Sequence, residues 1–481
     1  MGSKKIPIIA SNKPIPQLSS RPFWSGIKKS SVFTGLMAVI ILGLVIVSST
    51  FLAKGNLKPF LFLFGLLAIY VILSLLRYPY VSFIVLIGSS LFVPFGIGTG
   101  SESEFNISLI MVLLIAGLMF FDIFVNRSHL RFRFPRVYLA ILGLIISSVI
   151  SLGFGQFRYF ATSPAPIRAQ IGAVALYVFS GLIFIEMGYQ IRKLEWLKWV
   201  TWTFLFFGAF VIIFRHFPFL NKFNIDSAQG SLFWIWIIAI TFSQVLINKE
   251  LSFFWRIVLV FLAILIFYSG FFEARDWISG WLPGLISILV ILWLFAKKLR
   301  IPIIFAFIII AFFYTQFVSQ VFMSGDNPYS LMTRLQAWKI LEAIIKVNPL
   351  FGVGPANYYW YTPLFQILGY SVKFNSHNNY VDIIAQIGFV GLAAFIWVAW
   401  EIGRLGFQLR ATAQTGFEKA YVFGAIGGLV GTLASGMLGD WVIPFVYNVG
   451  FSGFRASLFA WLFLGGLVAL ERIERERNTQ I

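Results

Sequence analysis

The chain has no cysteine among its 481 residues, which excludes disulfides and thiolate metal sites. Charge is scarce too: Asp, Glu, Lys and Arg make up 11% of the residues, against roughly 25% in soluble domains. Acids are the scarcer sign, 18 against 37 Lys and Arg, and there are three histidines. Apolar side chains dominate, at 59%. No globular core buries that much apolar surface, so the solvent for most of the chain is lipid. The apolar runs reach the ~20 residues that span a bilayer as a helix. They lack the ~10-residue alternation of a transmembrane barrel. The fold class is therefore all-α, a polytopic helical membrane protein.

Hydropathy gives about fourteen spans (twelve to fourteen), near 32–53, 58–76, 79–98, 105–125, 137–154, 171–190, 197–214, 231–247, 253–271, 277–296, 301–321, 379–402, 418–438 and 446–470. The net charge of +19 does not mark a nucleic-acid surface, because no basic run is interleaved with aromatics. Placing the N-terminus inside puts most Lys and Arg in cytoplasmic loops, as the positive-inside bias requires. Residues 1–31 form a cytoplasmic tail with no signal-peptide pattern. Residues 32–470 form a single membrane domain, and 471–481 a second cytoplasmic tail. Segment 322–378 is then the one long extracytoplasmic loop, and loops of that length are uncommon without a function.

That loop holds three constellations. Leu331, Leu335, Trp338, Leu341 and Ile345 recur at helical spacing, and Asn348-Pro349 ends the pattern. Arg334, in the first turn, is either a solvated headgroup contact or an anion clamp. Phe351-Gly352-Val353-Gly354-Pro355 is either an ordinary re-entrant turn or a place where Gly352 and Gly354 let backbone amides approach an anion. Ser376-His377-Asn378-Asn379 leads into a span. A helix N-terminus there disfavours imidazolium, and a neutral His377 can take a proton from a hydroxyl. The other reading of His377 is an interfacial surface residue. Asp382, a turn further on, either orients that ring or pairs with a cation. Tyr358, Tyr359, Trp360 and Tyr361 can stack on sugar rings or anchor in lipid.

Glu273-Ala274-Arg275-Asp276 lies between the ninth and tenth spans, on the same outer face. Ionisable groups at the ends of apolar spans default to function. Arg275 suits a phosphate, since its fork binds two oxygens at once; the alternative is a local ion-pair cluster. Glu273 and Asp276 have the chemistry for Mg²⁺, but no further carboxylate pair backs them, and no metal or other cofactor is expected. Arg168 and Arg215, with His216, are weaker outward candidates for a charged lipid or glycan. Arg455 fits an arginine snorkelling from the last span.

At these residues the chain resembles the O-antigen ligase and O-antigen polymerase superfamily. The resemblance rests on Arg334 with Trp338, on Pro349-Leu350-Phe351-Gly352-Val353-Gly354-Pro355-Ala356-Asn357, on His377-Asn378-Asn379-Tyr380 and on Gly388-Phe389-Val390-Gly391-Leu392. Ala274-Arg275-Asp276 is similar to the family's serine–arginine–glycine helix start, with both neighbours replaced, and the family's asparagine has no match in 229–234. The resemblance implies a type C glycosyltransferase-like fold in the bacterial cytoplasmic membrane. It also implies inverting, metal-independent transfer of a glycan from an undecaprenyl diphosphate donor to an acceptor hydroxyl on the outer side. His377 is then the base, and Arg275 and Arg334 hold the diphosphate. Arg168, Arg215, Asp276, Trp338, Gly352, Gly354 and Asn378 complete substrate binding. The alternative is a transporter of an anion or of a lipid-linked sugar, which would gather charges near the bilayer midplane and repeat internally.

Overall fold

A computed structural model describes residues 75, 77–93, 96–98, 104–125, 135–217, 230–313 and 327–479. The chain divides into two compact units, Met1–Ser74 and Leu75–Ile481. The spans expected at 32–53 and 58–76 fall outside the described residues, apart from position 75 of the second. The helices of the second unit are α1 (Pro79–Phe92), α2 (Ile107–Val125), α3 (Arg136–Phe154), α4 (Ile167–Gln190), α5 (Leu194–Arg215), α6 (Ser231–Ile247), α7 (Phe253–Tyr268), α8 (Ile278–Phe295), α9 (Arg300–Phe312), α10 (Asn327–Ile345), α11 (Tyr358–Tyr361), α12 (Asn379–Thr412), α13 (Phe417–Leu438) and α14 (Gly450–Thr479). Among the described residues, eight of these helices are long and apolar enough to cross a membrane, and α1, α6 and α7 are shorter apolar helices. The chain is a multi-pass helical membrane protein.

Helix α14 is the centre of the bundle: 94% of its most apolar stretch is buried, against 39% for α8. It packs against α4, α6, α12 and α13. The outermost helices turn large apolar side chains outward, such as Phe253, Ile301 and Phe312, each more than three-quarters exposed. In water such a surface would be a liability; in a bilayer it is the ordinary boundary. Helices α6, α8 and α13 approach closely because α13 carries glycines at the contact. A Cβ on Gly428 would lie 2.7 Å from the Trp236 ring, and one on Gly427 would lie 2.8 Å from the Ser287 carbonyl. Small residues at crossings substitute for the hydrophobic drive that lipid removes.

Two expectations change. Helix α14 continues to Thr479, so the C-terminal tail is helical where described. Glu418 on α13 pairs with Arg477 of that extension at 2.8 Å. Arg455 does not snorkel: it is buried, and its Nε donates to the Ser90 carbonyl at 2.9 Å. A short hairpin, β1 (Gly96–Gly98) against β2 (Glu104–Asn106), caps the end of α1, and Asn106 accepts from the Leu109 amide at the start of α2.

The feature that positions the site is a break in α12. Gly388 has φ 71°, ψ −174°, inside an otherwise continuous 34-residue helix. The turn after α10 lies across this break. Val353 and Gly354 donate their amides to the carbonyls of Ala385 and Gln386, and Phe389 and Val390 donate theirs to Pro349 and Leu350. Ser151 of α3 adds a bond to the Gln386 carbonyl at 2.6 Å. The opened backbone groups thus have partners inside the protein, as a low-dielectric surrounding demands.

Candidate functional site

Helix α10 begins at Asn327 and its last turn closes at Asn348, just before Pro349, as its sequence pattern predicts. The face of α10 carrying Arg334 and Trp338 meets two segments distant in sequence. Trp338 Nε1 donates to the Ser376 carbonyl at 2.9 Å. Arg334 Nη1 donates to the Leu438 carbonyl at 3.3 Å. Asn378 Nδ2 donates to the neighbouring Met437 carbonyl at 3.2 Å, while its Oδ1 caps α12 by accepting from Tyr380 and Val381. The cap is therefore Asn378 itself. Arg334, Trp338, His377 and Asn378 form one site, walled by the end of α13 and the residues after it.

His377 sits at the centre with φ 48°, a left-handed conformation that few non-glycine residues adopt and that persists only where neighbours impose it. The hydrogen bonds of Ser376 and Asn378 on either side impose it here. Burial first, and the Arg334 guanidinium second, push the imidazole pKa down from 6.5 to about 4. The direction matches the expectation from sequence, and desolvation with a nearby cation accounts for it. Among the described residues the ring has no hydrogen-bond partner, so it is free to accept one.

Two buried carboxyl groups stand behind this front. Asp382 is reached by Ser376 Oγ at 2.7 Å and by the Tyr358 hydroxyl. Among the described residues it neither orients the imidazole nor pairs with a cation. Asp440 accepts from the Phe445 amide at 3.0 Å and from Asn448 Nδ2 at 2.7 Å. Burial raises the Asp440 pKa, and its charge opposes the fall that burial causes in Arg334. Sequence reading missed Asp440; its only signal was a lone acid following a span in a chain poor in acids.

Gly352 and Gly354 serve the fold. Both have positive φ, 72° and 100°, and a Cβ on Gly352 would collide with the Gln386 backbone. The amides from Phe351 to Gly354 are taken up by Asn348, Ala385 and Gln386, and those of Ala356 and Asn357 by Gln386 Oε1 and the Gly354 carbonyl. No amide of this turn is left to cradle an anion. Asn357, inside the same motif, fixes the turn to the end of α3 by donating to the carbonyls of Gly155 and Val353, each at 2.9 Å.

The second arginine stands apart. A π-turn, Ser269–Glu273, extends α7, and Arg275 follows it with its side chain 78% exposed, 3.9 Å from an equally exposed Asp276. Among the described residues no hydrogen bond or ion pair joins Arg275 to Arg334 or His377. The approach between the two regions is through Trp277, whose ring meets Trp441 edge-on at 5.9 Å, next to Asp440. Glu273 pairs with His216 Nδ1 at 3.1 Å and loosely with Arg215 at 4.0 Å. The ion-pair reading of this cluster thus holds for Glu273 and, through the exposed 3.9 Å contact to Asp276, for Arg275 as well. Arg215 also lines an apolar cavity between α6 and α8 with Trp234, Ala274, Trp277 and Trp281. Arg168 is exposed in the first turn of α4; the next residue, Ala169, packs in one cluster with Ala356, Trp360 and Tyr447. Among the described residues no three His, Asp or Glu gather as a metal site would need.

Residues 277–396 match a family model described as O-antigen ligase. The match takes in Arg334, Trp338, Gly352, Gly354, His377 and Asn378, and begins just after Arg275 and Asp276. No curated protein matches the chain.

Proposed function

We propose that this chain, which carries the O-antigen ligase family segment at residues 277–396, transfers a glycan from an undecaprenyl diphosphate donor to an acceptor hydroxyl at the outer side of the cytoplasmic membrane. The observation that carries the reading is the pairing of a neutral, unpartnered imidazole with a half-buried guanidinium on one rim: His377 beside Arg334.

The chemistry divides between them. The acceptor oxygen attacks the anomeric carbon while a ring nitrogen of His377 takes its proton. The bond from that carbon to the diphosphate oxygen breaks on the opposite face, so the configuration inverts. Negative charge builds on the departing diphosphate, and Arg334 and Arg275 stabilise it there. Fixing donor and acceptor side by side supplies much of the remaining rate.

A pKa of about 4 leaves His377 neutral at pH 7 but makes it a weak base. A diphosphate at Arg334 changes this. Its charge offsets the guanidinium that depresses the imidazole and favours the protonated form directly. Donor binding therefore strengthens the base at the moment it is needed, and the empty site has little tendency to protonate. A free-enzyme acid limb in kcat/KM near pH 4, with a higher limb in kcat, is the expected signature. A limb near the ordinary ~6.5 in both contradicts it.

The broken helix α12 invites a transporter reading, since discontinuous helices bind ions at their open ends. Here the opened carbonyls and amides are engaged by residues 349–354, which favours a structural break. Reconstitution in liposomes with a fluorescent undecaprenyl diphosphate-linked glycan decides the matter. A ladder of products indicates a polymerase, and one shifted band on an added lipid or glycan acceptor indicates a ligase. Uptake of label with no new glycosidic bond overturns the transferase reading.

A further inference from the structure

The mechanism above leaves one group unused. His216, the residue after α5, has both ring nitrogens engaged: Nδ1 lies 3.1 Å from Glu273 Oε1, and Nε2 lies 3.1 Å from Ser269 Oγ. Those two residues are the first and last of the π-turn. The π-turn is closed by the Ala274 amide donating five residues back to the Ser269 carbonyl at 3.0 Å. Such wide turns are intrinsically unfavourable and recur at functional sites. One imidazole bridging both ends holds this one in shape.

What the turn delivers is Arg275. On its other side the Arg275 carbonyl accepts from Trp281 Nε1 at 2.9 Å. The backbone of Arg275 is thereby pinned from both directions, while its side chain stays 78% exposed. A fixed root with an exposed head, held only by a loose contact to an equally exposed Asp276, is the arrangement expected of an arginine that closes on a charged ligand. A bidentate clamp tolerates little displacement of its root, because both oxygens must be met together.

We propose that His216 is a positioning residue for Arg275: it staples the π-turn through Ser269 and Glu273 and so fixes where the guanidinium meets the donor diphosphate. The inference rests on the role given to Arg275 above. Arg215 meets Glu273 only loosely, at 4.0 Å, against 3.1 Å for His216.

The test is a double-mutant cycle on the full chain reconstituted with the undecaprenyl diphosphate-linked glycan, reading kcat and the donor KM separately. His216→Ala is expected to lower kcat by about 10- to 100-fold, the scale of an ångström-level misplacement, with a smaller change in KM. The double variant His216→Ala/Arg275→Ala should be no slower than Arg275→Ala alone, because both changes remove one function. His216→Asn keeps a polar group near the Nδ1 position for Glu273 but does not reach Ser269, so it should recover only part of the loss. Multiplying effects in the double variant, wild-type activity in His216→Ala, or full recovery in His216→Asn overturns the two-ended staple and leaves the transferase reading intact. Full activity in Arg275→Ala overturns both the clamp and the staple. Should His216→Ala not yield a monodisperse protein in detergent, His216→Gln serves in the cycle, since it keeps bulk but loses the Glu273 contact.

Discussion

The two arginines singled out from sequence live in opposite surroundings. Arg334 is half-buried, tied to a backbone carbonyl, opposed by Asp440 and close enough to His377 to shift its pKa. Arg275 stands in the open on a stapled turn. A guanidinium held in low dielectric acts strongly and at fixed position, at a desolvation cost that Asp440 partly offsets. A guanidinium on the surface acts weakly until a ligand brings it out of water. Under the proposed transfer the labour divides between a resident charge that sets the state of the base and an exposed one that meets the leaving group.

The largest effect tests what both arginines serve. His377→Ala should cost about 10²- to 10⁴-fold in transfer, the usual range for a general base, with the protein still eluting as the wild type. Normal product length and yield would remove the base. Arg334→Ala follows at a comparable loss, and here the comparison predicts a second effect that Arg275 variants lack. The guanidinium depresses the His377 pKa, so its removal lets that pKa rise. The acid limb of kcat/KM should move up from near pH 4 towards ~6.5, stopping short because burial still acts. An unmoved limb would mean that Arg334 and His377 do not share a site.

Much of this was legible in sequence, for a definite reason. Apolar runs of membrane length give the helices away one at a time, so the segments expected at 137–154, 231–247 and 418–438 appear as α3, α6 and α13 with ends shifted by at most one residue. The three-residue steps of α10 and the lone histidine before a span marked the site likewise. Hydropathy is blind to what meets what. It could not show that the glycines of 352–354 lie across a break at Gly388, that Asp382 answers to Tyr358 and Ser376, or that Arg455 reaches a carbonyl 365 positions away at Ser90. Asp440 was nearly invisible for the same reason, since its importance comes from Arg334 on α10.

Arg275→Lys sharpens the contrast at a smaller scale. An ammonium keeps the charge but cannot make two parallel bonds, and the side chain contributes little to folding at 78% exposure. The expected outcome is a loss of roughly 10- to 100-fold in kcat/KM for the donor with an unchanged thermal midpoint. Equal activity would reduce Arg275 to the partner of Asp276. The same substitution at Arg334 should disturb the thermal midpoint as well, because the Leu438 carbonyl loses a well-placed donor.

The smallest effect on catalysis is expected where the family motif is most conspicuous. Gly352→Ala places a Cβ against the Gln386 backbone at φ 72°, a conformation that costs about 1–3 kcal/mol for other residues. The neighbouring backbone of α12 cannot yield without opening the bonds at the Gly388 break. The variant should therefore unfold at lower temperature and denaturant than the wild type, while the folded fraction keeps its kcat and its donor KM. A tenfold rise in donor KM at unchanged stability would return the glycines to the diphosphate and would mean that the turn rearranges, freeing its amides, when the donor arrives.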